Sequence, residues 1–339
     1  MVLTKKDTNV AKGMAISLML AHHLYNFKDK LSDGNFYIPV LIGHDAEHQI
    51  GDFGKICVSM FLFLSGYGLY KSSLNKSSLI MYILTKLTNF YKVYWSYFLV
   101  FIPIGVMFFP NVKVFGSDQL RYTLNLSDMI KNFVGVASSF NSEWWFIKLY
   151  LFLLILFPLY KYIIDRNTIA FVCLCYFLYA VTIYVDSPVG LLLYQLGFAT
   201  GMLIAKYDYR LDMSNIIHSF KFIYCSFGIC TLVLLRVRFM DGSCDFIFAP
   251  VFAFLSIGLI NCMKLSNIFE FLGKYSFPMW LNHSFFCYYY FQDIVFFPKY
   301  SPLIFITLLG FSLASAIVVE NSRSWLGSHL EWTRMPKTR

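Results

Sequence analysis

The sequence predicts an all-α fold: a polytopic integral membrane protein with about ten transmembrane helices and both termini cytoplasmic. Three observations predict it. The chain is 58% hydrophobic and only 14% charged, against roughly 25% charged in soluble domains. Apolar runs of bilayer-crossing length recur along nearly all of its 339 residues, and no alternation of ten-residue apolar and polar segments suggests a barrel. Threading ten spans places 18 of the 28 Lys and Arg on the side that holds the termini and 10 on the other, which makes the richer side cytoplasmic. The net charge of +9 is then a topology signal rather than a nucleic-acid footprint, and no nucleic-acid partner is expected.

In order, the expected spans are about 10–27, 52–70, 90–109, 143–161, 168–185, 188–206, 219–239, 244–262, 268–291 and 301–320. The divisions at Asp186-Ser187-Pro188 and at Asp241-Gly242 rest on short turns. The first run ends in histidines with no A-x-A cleavage site, so it reads as a retained span and not a signal peptide. Residues after about 320 are too few for another domain, so a single membrane domain over 1–339 is expected, without a separate soluble one. The eight cysteines make no C-x-x-C pair and read as core filling. Two outer loops are long, about 28–51 and 110–142. His44-x3-His48 in the first has a metal-like spacing but lacks helical context and a third ligand, so a solvated loop is expected and no metal. Leu120–Val136 in the second, polar and apolar by turns, suits the membrane surface.

Four stretches carry groups capable of chemistry. The first is Lys12–His23, KGMAISLMLAHH. Eleven residues at about 100° each bring the two ends to one helix face, about 16 Å apart along the axis, while His22 points elsewhere. An ionisable pair on one face of a membrane helix is costly and suggests use. The plainer reading is a snorkelling cytoplasmic lysine and histidines satisfied within the bundle. The second, Gly54–Tyr70, contains Ser65-Gly66 and Gly68, small residues suited either to close helix packing or to approach by a ligand. Beside it, Lys86 and Lys92 flank the third span, as topology signal and headgroup contact or as a cationic mouth for a phosphate-bearing ligand. The third, from Asn141 to Tyr150, places Glu143, Trp144, Trp145 and Lys148 at the outer interface, as an ordinary aromatic belt or as a carboxylate and indoles that hold a sugar. The fourth is the ninth span, which carries Lys274, Ser276, Asn282 and His283, with Pro278 expected to kink it. Arg236 and Arg238, at the outer end of the seventh span, suit an anion or lipid headgroups.

Taken together and in order, these stretches resemble the membrane acyltransferase-3 family, the O-acyltransferases of bacterial surface polysaccharides. Lys12-x10-His23 is similar to the family's Arg/Lys-x10-His signature, and Phe61-Leu62-Phe63-Leu64-Ser65-Gly66-Tyr67 to its F-F-x-x-S-G-[FY] run. Trp145-Phe146 resembles the opening of its middle span. Leu272-Gly273-Lys274-Tyr275-Ser276-Phe277, with Trp280-Leu281-Asn282-His283, resembles its L-G-x-x-S…Y-L-x-H segment. The chain departs from the pattern at Ser59, where many members carry Asp, and at Lys86-Leu87-Thr88-Asn89, where R-x-x-R keeps one cation. Lys148 lies near the place of an absent V-E pair, a pattern that suits the shorter branch without a periplasmic domain.

The resemblance implies transfer of an acyl group, usually acetyl, from cytosolic acyl-CoA to a carbohydrate hydroxyl at or across a bacterial inner membrane. Acyl-CoA enters as donor substrate, and no bound cofactor is implied. His23 is expected as the catalytic base, with Glu143 orienting it or the acceptor. Lys12, Lys86 and Ser65 are expected on the acyl-CoA side, and Trp144, Trp145, Asn282 and His283 on the acceptor side. The bilayer is a partner, and a homo-oligomer is compatible with the sequence. Two other classes stay open: an exporter of polysaccharide or lipid-linked sugar, and a non-catalytic member of a surface-polymer assembly. The concentration of polar residues in spans one, two, four and nine favours a site over a conduit.

Overall fold

The first helix starts where its backbone donors find partners, ahead of the apolar run expected from residue 10. Thr4 Oγ1 accepts from the Asp7 N–H (3.1 Å) and the Asp7 carboxylate accepts from the Thr4 N–H (3.0 Å), a capping box that begins α1 (Lys5–Tyr25). The computed structural model describes residues 3–41, 43, 45–184, 192–207, 218–239 and 242–332. His44, the turn expected at 186–188 and Asp241 lie outside the described residues. Among the described residues no β-strand forms, only isolated bridges from Ile38 to Tyr300 and from Lys113 to Leu120.

After α1 come α2 (Ala46–Gly54), α3 (Cys57–Ser73), α4 (Leu79–Phe108), α5 (Leu126–Val134), α6 (Trp145–Arg166), α7 (Thr168–Tyr184) and α8 (Gln195–Tyr207). Then follow α9 (His218–Phe239), α10 (Asp245–Cys262), α11 (Ser266–Lys274), α12 (Ser276–Ser284), a π-helical turn at Phe285–Tyr289, α13 (Gln292–Phe296) and α14 (Ser301–Trp332). Six segments among the described residues are long and apolar enough to cross a membrane: Ala46–Ser73, Leu79–Phe108, Ser142–Arg166, Phe220–Arg238, Asp245–Cys262 and Ser301–Leu326. α7 is a shorter apolar helix. α1 falls outside the six because Lys12 and the histidines dilute it, and α8, α11 and α12 because they have 13, 9 and 9 residues.

Pro278 does not kink a continuous ninth helix. The helix ends at Lys274, and Pro278 falls in the first turn of the next, where its missing N–H would have had no intrahelical acceptor.

The chain forms two compact units. The first comprises Met1–Phe27, Leu41–Leu87 and Phe146–Ser276, and the second Lys28–Val40, Thr88–Trp145 and Phe277–Arg339. In the first unit α1 is the central helix, packed on α2, α3, α10 and α11. The approach of α1 to α11 is backbone to backbone: a methyl on Gly13 would strike the Phe269 carbonyl, and one on Gly273 the Asn9 carbonyl. α3 meets α8 the same way, Gly66 against the Phe198 carbonyl and Gly201 against that of Phe63.

The second unit is built on aromatic contacts, which is where much of the chain's Phe and Tyr is spent. Phe101 stacks on Phe285 at 4.7 Å, Phe109 on Tyr290 at 4.5 Å and Trp95 on Phe133 at 4.9 Å. α5 ends on carbonyls that have no partner within the helix. α4 supplies donors: Trp95 Nε1 to Phe133 O (3.0 Å), Tyr91 OH to Val134 O (2.8 Å) and Tyr94 OH to Asn132 O. Leu126, Ile130 and Val136 remain exposed beside this attachment.

Candidate functional site

In the first unit, Lys12 and His23 lie on one unbroken helix, so their register is that of an α-helix: three turns and about 16 Å apart. His23 is 8% exposed, with the Phe27 ring stacked at 5.8 Å and the His22 ring edge-on at 5.2 Å. His22 faces α2, where its Nδ1–H donates to the Gly51 carbonyl (2.7 Å). A carbonyl only accepts, so the proton of a neutral His22 sits on Nδ1. The closeness of α2 is permitted by Gly54, whose Cβ would meet the Leu18 carbonyl.

At the other end of α1, Lys12 and Lys86 are half-buried and close enough for their charges to repel. Lys86 Nζ also lies over the Tyr82 ring at 5.3 Å and feels Lys76. Among the described residues no carboxylate pairs with either Lys12 or Lys86. Two like charges near each other raise each other's energy, and a nearby anion would lower it. Ser65 is half-buried on α3. Its neighbour Gly66 serves helix packing, whereas Gly68 faces open space.

In the second unit the Glu143–Trp144 turn is attached to the Asn282–His283 helix. Asn141 begins that turn by accepting from the Glu143 N–H (3.0 Å), and its amide exchanges hydrogen bonds with the Ser284 hydroxyl, 2.7 Å as donor and 3.0 Å as acceptor. Trp144 is buried, donates from Nε1 to Leu281 O (3.0 Å), and is packed by Tyr94, Phe98 and Phe285. Trp145 is half-buried and opens α6. Glu143, 6% exposed, holds Lys30 at 3.0 Å. His283 is fully buried, and its Nδ1–H donates to Trp280 O (2.7 Å), leaving Nε2 as the acceptor nitrogen of the neutral ring. Asn282 donates to Ser312 O (3.0 Å) and Ser315 Oγ (2.7 Å), while its own Oδ1 is buried without a hydrogen-bond partner.

The predicted residues therefore gather in two places. Lys12, Lys86 and His23 belong to the first unit; Glu143, Trp144, Asn282 and His283 belong to the second. Two participants carried no signal in the sequence. Lys30, the partner of Glu143, is an ordinary loop lysine there, and its main chain is held when Gln292 Nε2 donates to Lys30 O (3.0 Å). Arg121 is likewise a loop arginine, yet it is completely buried. Arg236 is not open to an outside anion: it meets Asp245 bidentately at 2.6 and 2.9 Å and donates to Asp52 O (3.3 Å), joining α9, α10 and α2. Among the described residues no group of three or more His, Cys, Asp or Glu side chains is placed to hold a metal.

Apolar helices of crossing length, around a central helix that carries a buried histidine and a half-buried lysine, fit a multi-pass membrane protein. The chain belongs to the acyltransferase-3 family, whose sequence model, described as an acyltransferase domain, matches residues 6–320. It is a membrane acyltransferase by that membership. No curated protein and no solved structure matches the chain.

Proposed function

We propose that this protein is an O-acetyltransferase of a bacterial inner membrane, moving the acetyl group of cytosolic acetyl-CoA to a hydroxyl of a cell-surface or lipid-linked carbohydrate. The observation that carries the reading is the arrangement along α1: a cation pair without a counter-charge at one end, and a buried histidine three turns away. The six crossing helices, joined by α1, α7, α8 and the α11–α12 stretch, are read as a ten-span bundle with both termini cytoplasmic.

In this reading Lys12 and Lys86 face the cytoplasm and receive phosphate oxygens of the donor, as two point charges do. His23, about half a hydrocarbon thickness further in, faces the acceptor. A sugar hydroxyl is a weak nucleophile until a base takes its proton, and neutral imidazole suits that task near pH 7. As the hydroxyl oxygen attacks the acyl carbonyl, a His23 ring nitrogen takes the proton. A carbon–oxygen bond forms, the carbon–sulfur bond breaks, and the departing thiolate is protonated in turn. Glu143, Trp144, Trp145, Asn282 and His283 are assigned to the acceptor side.

The test is transfer of labelled acetyl from acetyl-CoA to glycan in inverted membrane vesicles. Wild-type protein should label carbohydrate, and His23→Ala at equal abundance should not. Sugar crossing the membrane without label would favour an exporter instead.

A further inference from the structure

Arg121 is a buried guanidinium, 1% exposed, for which no described residue supplies a carboxylate. Its Nη1 is used for positioning, donating to Ser139 O (3.0 Å) and Ser142 Oγ (3.1 Å). The plane lies on the Tyr289 ring, with Cζ 4.3 Å from the centroid, and Phe115 stands 5.6 Å away. Nε and Nη2 are sealed from solvent and have no hydrogen-bond partner. These two nitrogens form the side-on edge of arginine, whose parallel N–H groups match the two oxygens of a carboxylate or phosphate. An unpaired buried charge carries a large desolvation penalty unless an anion completes it.

Among the described residues no carboxylate forms an ion pair with Arg121. Glu143 is committed to Lys30, whose Nζ lies over the Tyr288 and Phe115 rings at 4.8 and 5.3 Å. Asp29 acts on Tyr288 from an exposed position. Burial, reinforced by Tyr290, pushes the Tyr122 phenol far up, so it stays neutral and cannot balance the guanidinium. The formal charges of Lys30, Arg121 and Glu143 sum to +1, and the unsatisfied donors of the three belong to Arg121. Phe115, 38% exposed, is the most exposed of the rings around this cluster and the one a ligand arriving from solvent would meet first.

We propose that the Nε–Nη2 edge of Arg121 binds a carboxylate or phosphate of the acyl acceptor, so that the acceptor is an acidic carbohydrate. The word acceptor rests on the acetyltransferase reading; the anion site does not. The experiment is a thermal-unfolding titration of the full chain in neutral detergent with sodium glucuronate and glucose 1-phosphate. Glucose, and sodium chloride at matched ionic strength, are the controls. Wild-type protein should be stabilised by at least one of the two anionic sugars and by neither control. Arg121→Lys, which keeps the charge but loses the edge, should weaken that response about tenfold or more. Phe115→Ala leaves Arg121 in place and should strengthen it, which keeps the test decisive if Arg121→Lys fails to fold. Equal responses to glucose and the anionic sugars, or an unchanged response in both variants, would overturn the proposal. So would Arg121-dependent retention of phosphatidylglycerol with no response to either sugar. Acetyl transfer is scored separately: transfer to neutral and acidic acceptors alike sinks the acidic-acceptor assignment and leaves the acetyltransferase reading standing. Sugar binding without any transfer does the reverse.

Discussion

Lys30 Nζ lies 3.0 Å from Glu143 Oε1, with side-chain exposures of 16% and 8%. Removing one partner of a buried pair strands the other charge, at a cost of about 3–5 kcal/mol. Glu143→Gln and Lys30→Met should each lower the unfolding temperature in detergent. The double variant should recover part of the loss, because it strands no charge. A double variant that loses the sum of the two would show that the pair is not coupled.

His22 and His23 are adjacent in sequence and separable by experiment. His23→Ala should reduce kcat for acetyl transfer by roughly 10²–10⁴ per folded molecule, the usual worth of a positioned base, a loss larger than any fall in unfolding temperature accounts for. His22→Ala leaves the Gly51 carbonyl without its donor and should cost about 1–3 kcal/mol of stability. Kinetics and thermal unfolding of both variants check the division, and a catalytic loss confined to His22→Ala would reverse it.

Lys12 and Lys86 repel each other in the absence of a ligand. Lys12→Met should therefore stabilise the free protein while raising the KM for acetyl-CoA about tenfold or more, with kcat less affected. Lys12→Arg should retain most donor affinity. An unchanged KM in Lys12→Met would remove the lysine from the donor site.

Gly66 and Gly68 sit two residues apart on α3, on opposite sides of the helix and in opposite circumstances. Gly66→Ala would place a methyl against the Phe198 carbonyl and should cost about 1–3 kcal/mol through overpacking. Gly68→Ala meets nothing within 4 Å and should be neutral or stabilising by up to about 1 kcal/mol, since alanine favours a helix. Unfolding temperatures of the two variants decide this.

The legible part of the site was the part written along one helix. Lys12 and His23 share a face because helical spacing is covalent, and α1 carries that register unbroken. The Thr4–Asp7 capping box is equally local and starts the helix ahead of the apolar run from about residue 10. The helix breaks at Tyr275 where a kink at Pro278 is expected from sequence, because a proline in a first turn and one inside a helix read alike until the helix boundary is known.

By itself the sequence determined the helical membrane class, the family and the α1 register, since composition, motif order and residue spacing all act along the chain. Only the tertiary structure decided the company each charge keeps. It gathered Lys12 with Lys86, gave Glu143 to Lys30 and Arg236 to Asp245, and left one edge of Arg121 unmatched. Those outcomes depend on which loops and helices are brought within a few ångströms of each other. A buried charge is settled by its neighbours in space, and in the Arg236–Asp245 and Lys30–Glu143 pairs these lie 9 and 113 residues away along the chain.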